Sequence, residues 1–173
     1  MSVKEVLKMG HPILQQVAEP VTEFNSAYLD SVIVDMYDSM AALDGAGLAA
    51  PQIGIPKRIV IFWVEDNPRY PDIEPVPNTI LINPEITVLS DELESGWEGC
   101  LSVPGLRGLV PRATKIKYSG YDQLGNLIER FADDFHARVV QHEVDHLDGI
   151  LYPQRMDDMR QLGFEQENFP LLS

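Results

Sequence analysis

The chain has 173 residues, enough for one domain with a real core, and its 45% hydrophobic and 23% charged content is ordinary for a soluble globular protein. A formal net charge of -14 argues against nucleic-acid or anionic-membrane binding through a basic patch. The one cysteine, Cys100, excludes an internal disulfide, and no apolar run reaches the roughly 18 residues expected of a membrane span.

Residues 1–25 read as short and turn-rich, with Gly10-His11-Pro12 and Glu19-Pro20. His11 is expected in a turn, as a surface or capping histidine. Asn25 or Ser26 then caps a helix running to about residue 43, because Leu29, Val32, Ile33, Met36, Tyr37 and Met40 keep helical spacing. The methionines on that stripe read as core. Residues 45–54 form a small-residue loop where another backbone or a ligand can come close. No Gly-Lys-Ser/Thr follows and no strand precedes, so a phosphate loop is a poor match, and Gln52 by itself could be a surface amide.

Residues 58–64 read as a strand, and residues 65–78, with Pro68, Pro71, Pro75 and Pro77, as a loop. Residues 79–83 and 86–89 read as two short strands, and Trp97 as a core aromatic. Residues 115–121 and 127–131 flank a turn through Leu124-Gly125-Asn126 as a hairpin. The tail beyond Met156 is short and polar, with no long helix of its own.

A second helix precedes that tail and contains H-E-x-x-H at His142-Glu143-Val144-Asp145-His146. Side chains four apart on a helix differ in direction by roughly 40°, so both imidazoles can reach one metal ion. Glu143 stands beside them, able to act on a water at that ion. Phe135, Val139, His142 and His146 share one face, and Val140, Val144 and Leu147 make a second apolar stripe. Arg138, Gln141, Asp145 and Asp148 fall on the remaining arc. So wide an apolar arc marks a central core helix, with Asp133 or Asp134 as N-cap and Gly149 as its stop. His136 lies about 240° from His142 and cannot join the same metal. The alternative makes His142 and His146 core histidines hydrogen-bonded to their neighbours. Strands clustered around two helices give an α+β class rather than a parallel βαβ sheet.

Three motifs now stand in one order: Gly45-x-Gly47-Leu48-Ala49-Ala50-x-Gln52, Glu98-Gly99-Cys100-Leu101-Ser102, and Gln141-His142-Glu143-x-Asp145-His146. Together they resemble the peptide deformylases, metal enzymes that remove the N-terminal formyl group from new polypeptides. The resemblance covers about residues 5–155. It implies a single catalytic domain over residues 1–173, with short antiparallel strands around a central metal-binding helix.

The resemblance also implies the site. Cys100, His142 and His146 would ligate the metal, natively Fe(II), with zinc, nickel or cobalt able to substitute. Three protein ligands leave the open position of a catalytic site. Glu143 would be the general base, while the Gln52 side chain and the Leu101 backbone N–H meet the oxyanion. Ala46, Gly47, Gly99 and Arg107 would bind the peptide, with its methionine near Phe135 and Val139. Asp44 stands where many relatives carry a glutamate before the first loop glycine.

The implied partners are formyl-Met nascent peptides at the ribosome, although the tail lacks the long C-terminal helix that some relatives use there. A monomer is expected, without direct nucleic-acid or membrane binding. The expected compartment is the cytoplasm, since residues 1–5 open neither a signal nor a transit peptide. One rival is an H-E-x-x-H metallopeptidase, whose third ligand usually lies downstream, whereas no histidine follows His146. The other is an inactive, deformylase-like binding protein, which loss of Gln52, Cys100 or Glu143 would have marked; all three are present.

Overall fold

A computed structural model describes residues 2–65 and 72–167. Helix α1 spans Ala27–Ala42. The strands follow as β1 (Gly47–Ala49), β2 (Ile59–Val64), β3 (Val76–Val88), β4 (Leu93–Cys100), β5 (Val103–Ala113), β6 (Lys115–Tyr121) and β7 (Leu127–Asp133). Helix α2, Asp134–Leu147, comes next, and β8 (Leu162–Phe164) closes the described chain. Two antiparallel sheets result, one in the order β1-β2-β3-β6-β7 and one in the order β4-β5-β8. The architecture is α+β.

Strand β2 explains how two helices share one sheet. Its sequence Ile-Val-Ile-Phe-Trp-Val is apolar throughout, which fits a strand covered on both faces. Ile59 and Ile61 point to a core with Leu29, Val32, Ile33, Met36 and Met40 of α1. Val60, Phe62 and Val64 point the other way, to a core with Val140, Val144 and Leu147 of α2. The period-two alternation of a strand therefore divides the hydrophobic core between the helices. A third, smaller core joins Val103 and Val110 of β5 to Leu151 and Tyr152.

The helix ends follow their local chemistry. The Ser26 hydroxyl accepts from the Leu29 N–H at 3.2 Å, a cap worth about 1 kcal/mol. The predicted core methionines are fully buried in α1. Asp133 is the N-cap residue of α2, but its side chain accepts no capping bond. After α2, Gly149 takes φ 73, and a Cβ there would meet the Gln15 carbonyl at 2.7 Å, so glycine is required twice over. His11 caps the short 3-10 turn Pro12–Gln15 by accepting from the Ile13 N–H at Nδ1.

Several expectations need correction. The two short strands predicted at 79–83 and 86–89 are one strand, β3. The predicted gap is an irregularity between Ile82 and Glu85, where Asn83 takes φ 50 and its side-chain amide exchanges two hydrogen bonds with the backbone of Val21. Strand β3 also reaches back to Val76, into the predicted loop; residues 66–71 of that loop lie outside the described residues. The tail contributes the short strand β8. Trp97 is half-buried and borders a cavity instead of filling the core. As a core helix should, α2 is covered even on its polar arc, where Asp145 is buried and Arg138 and Gln141 are partly buried, while Asp148 is exposed.

Candidate metal centre and substrate cavity

Helix α2 lies between the two sheets. It packs on β1 and β2 on one side and on β5 on the other. A cavity of about 370 Å³ opens there. Of the site residues expected from sequence, Ala46, Gly47, Gln52, Gly99, Cys100, Leu101, Arg107, Phe135, Val139, His142 and Glu143 all border it. His146 alone sits behind that wall, fully buried.

Cys100 ends β4, just past a register irregularity that begins at Glu98. Irregularities of this kind re-aim side chains beside sites. Its sulfur lies 3.5 Å from His146 Nε2 and 3.4 Å from the Ser102 N–H. The Cys100 sulfur and one nitrogen from each of His142 and His146 all lie within 4.8 Å of one another. Ligand atoms around one tetrahedral ion stand about 3.5 Å apart, so this spacing fits a single metal.

Hydrogen bonds fix how these groups face. Glu98 Oε1 accepts from His142 Nδ1 at 2.8 Å, which turns the other ring nitrogen toward the sulfur. Tyr152 stacks on His142 with centroids 6.2 Å apart. The Gln52 carbonyl oxygen accepts from the Ala49 N–H at 2.9 Å, so its amide nitrogen must point the other way. There it lies 3.1 Å from the Ser102 hydroxyl and 3.5 Å from the Cys100 sulfur. The buried Gln52 is thus no surface amide.

Among the described residues, three buried side-chain atoms lack a hydrogen-bond partner: Glu143 Oε2, His146 Nδ1 and the Tyr152 hydroxyl, the first two on α2. Burial pushes the Glu143 carboxyl up to about 7. Gly47 makes room for it, because a Cβ at that position would meet Glu143 Oε1 at 2.5 Å. Burial also pulls on both imidazoles. His142 is nevertheless held well above its ordinary value by its bonds to Cys100 and Glu98, while His146 falls well below, under burial and the nearby His142.

Sequence reasoning missed what stands behind the triad. Glu98 is bound by Arg112 through two bonds of 2.9 Å and by Arg138 at 2.8 Å. Burial opposes its charge, but His142 and Arg112 hold its carboxyl far below the usual carboxylate range. Arg112 also reaches Asp145 at 2.6 Å, and Arg155 grips Asp145 from outside at 2.9 Å. Arg138 passes so close to Gly96 that a Cβ there would lie 2.8 Å from its guanidinium carbon. No local signal marked these charged residues, because β4 reads Leu-Glu-Ser-Gly-Trp-Glu-Gly-Cys, where Glu98 is one of two glutamates among mostly small residues. His136, as expected, stays apart and pairs with the Tyr118 hydroxyl at 3.0 Å.

A sulfur and two imidazoles around one point, with a buried carboxylate beside them and a cavity in front, make the donor set of a metal-dependent hydrolase. Comparison with known proteins narrows that class. Residues 3–162 match the polypeptide deformylase family. Peptide deformylase 1 of Nitrosomonas europaea is 56% identical over 97% of this chain and 96% of its own length. Peptide deformylase 2 of Ralstonia nicotianae is 57% identical over 98% and 96%. A class I type b peptide deformylase from Acinetobacter baumannii, solved with Met-Ala-Ser bound, has a TM-score of 0.86 and 43% identity, covering 90% of this chain and 99% of that one. The chain belongs to the peptide deformylase family. It is a metal-dependent enzyme that hydrolyses the N-terminal formyl group of nascent polypeptides and releases formate. The metallopeptidase alternative is not favoured.

Proposed function

We propose that Cys100, His142 and His146 hold one Fe(II) ion, which zinc, nickel or cobalt can replace, and that Glu143 is the general base of deformylation. The observation that carries this reading is the unpartnered, buried Glu143 Oε2 beside three donors within 4.8 Å. A metal held by these three residues would supply a water activated for attack near neutral pH. Glu143 takes a proton as that water attacks the formyl carbon, then delivers it to the leaving amine. Its carboxyl, already raised to about 7, is suited to exchange protons near neutral pH. Gln52 and the Leu101 N–H meet the negative charge on the formyl oxygen. A donor fixed in advance, as Ala49 fixes Gln52, is worth about 2.7–4 kcal/mol in such sites.

The peptide adds as a strand between Ala46 and Gly99. Support comes from topology: β1 and β4 are edge strands of the two sheets, and both border the cavity. Phe135 and Val139 give the methionine side chain an apolar wall, and Arg107 lies further along the chain's path. Gly47 borders the peptide's path and also leaves Glu143 its space. The Acinetobacter relative's Met-Ala-Ser supports a tripeptide of this kind as ligand. We further read the chain as one catalytic domain over residues 1–173, acting as a cytoplasmic monomer on chains leaving the ribosome.

The test is formate release from formyl-Met-Ala-Ser by iron-loaded protein, with metal analysis of the same sample. The expected result is formate release with about one metal per chain, and far lower kcat/KM for acetyl-Met-Ala-Ser, whose extra methyl must enter a packed wall. Equal turnover of the two peptides would contradict the reading.

A further inference from the structure

The cavity has a wall that the three motifs do not supply. Strand β8 pairs with β5, placing Gly163 opposite Arg107 and Phe164 opposite Leu106. The Glu165 N–H then donates to the Gly105 carbonyl at 2.8 Å, which fixes the next side chain at the rim. Glu165 Oε1 accepts from Arg107 Nε at 2.7 Å, and both residues border the cavity. The Arg107 side chain is only 8% exposed, whereas that of Glu165 is 45% exposed. Arg107 lies against Gly99, where a Cβ would meet its guanidinium at 2.5 Å. The rim cation is therefore sunk against the β4 edge, and its partner anion stands outside it.

Among the described residues bordering the cavity, the acidic ones are Glu98, Glu143 and Glu165. Glu98 is tied to two arginines and His142, and Glu143 is buried. Glu165 is thus the carboxylate that an entering peptide meets first. Lys8 also borders the cavity, but its ammonium is turned to the Val6 carbonyl at 2.5 Å.

We propose that Glu165 is a specificity-determining residue: it cancels the charge of Arg107 and favours formyl peptides with basic over acidic side chains after the methionine. The inference rests on the peptide-binding reading above. A half-exposed charge acts weakly, and solvent and salt reduce it further. The expected effect is accordingly modest and falls on KM, because the charge lies away from the reacting carbon.

The experiment compares kcat/KM for formyl-Met-Lys-Lys and formyl-Met-Glu-Glu in the metal-loaded enzyme at low salt. Glu165→Gln keeps an acceptor for Arg107 and removes the charge. It should lower the lysine-to-glutamate ratio by about threefold or more, the effect of an ion pair near 0.7 kcal/mol, mainly through KM. Added salt should shrink the difference. Glu85→Gln removes the same charge at an exposed site away from the cavity and should leave the ratio unchanged. An unchanged ratio in Glu165→Gln, or an equal change in Glu85→Gln, overturns the inference. Loss of formyl-Met-Ala-Ser turnover in the unmutated enzyme would instead contradict the underlying reading.

Discussion

Helix α2 presents two polar faces with opposite habits. On one, Arg138, Gln141 and Asp145 have their hydrogen bonds made, to Glu98, the Ala113 backbone, Arg112 and Arg155. On the other, Glu143 Oε2 and His146 Nδ1 are buried and unpaired. Burying an unpaired polar group costs about 1–3 kcal/mol, so a chain retains one where chemistry requires it. The satisfied face holds the scaffold, and the unsatisfied face is kept for a ligand and a proton.

If that division is right, mutations on the two faces should fail in different ways. The largest effect is expected from Arg112→Met. It leaves Glu98 and Asp145 buried with one cation fewer each, and breaking such a pair costs about 3–5 kcal/mol. Urea denaturation should show a loss in that range; a loss below about 1 kcal/mol would put the network on the same footing as a surface ion pair.

Glu143→Gln comes next and should reverse the pattern. Turnover of formyl-Met-Ala-Ser should fall about 10²-fold or more, because the amide cannot take the proton. Metal content and stability should hold, since a carboxylate without a partner at Oε2 is no structural asset. A variant that unfolds at much lower urea would erase the contrast between the faces.

Gly47→Ala should give the smallest effect and sharpen the boundary between them. The new Cβ enters the space of Glu143 Oε1, so the base must shift. A kcat decrease of about tenfold is expected from such displacement, with a stability cost of about 1–3 kcal/mol. Unchanged kcat would mean that the position of Glu143 is loosely set.

These two faces were unequally legible in the sequence. The face that carries chemistry was readable because its spacing is local: Phe135, Val139, His142, Glu143 and His146 repeat at helical intervals within one element. Both helices and the β6–β7 hairpin announced themselves in the same way, through period and caps. The satisfied face was not readable, because its partners come from residues 98, 112 and 155, on three separate elements. A charged residue looks solvated until its partners are known.

Strands β4 and β5 escaped for a related reason. Gly96, Gly99, Gly105 and Gly108, with Pro104 and Pro111, look like loop chemistry. Three of those glycines are small because Arg138, Arg107 and Met156 occupy the space of the absent Cβ. The composition thus records crowding by distant side chains rather than a turn.

The central claim is that one metal is held by a sulfur from the β4 edge and two imidazoles from α2. Cobalt substitution tests it most directly, because a thiolate bound to Co(II) gives a near-ultraviolet charge-transfer band that imidazoles alone do not. The account predicts that band, at about one cobalt per chain, in the unmodified protein, with Cys100→Ala losing both the band and most of the cobalt. A Cys100→Ala protein that keeps the same band and full cobalt occupancy would contradict it.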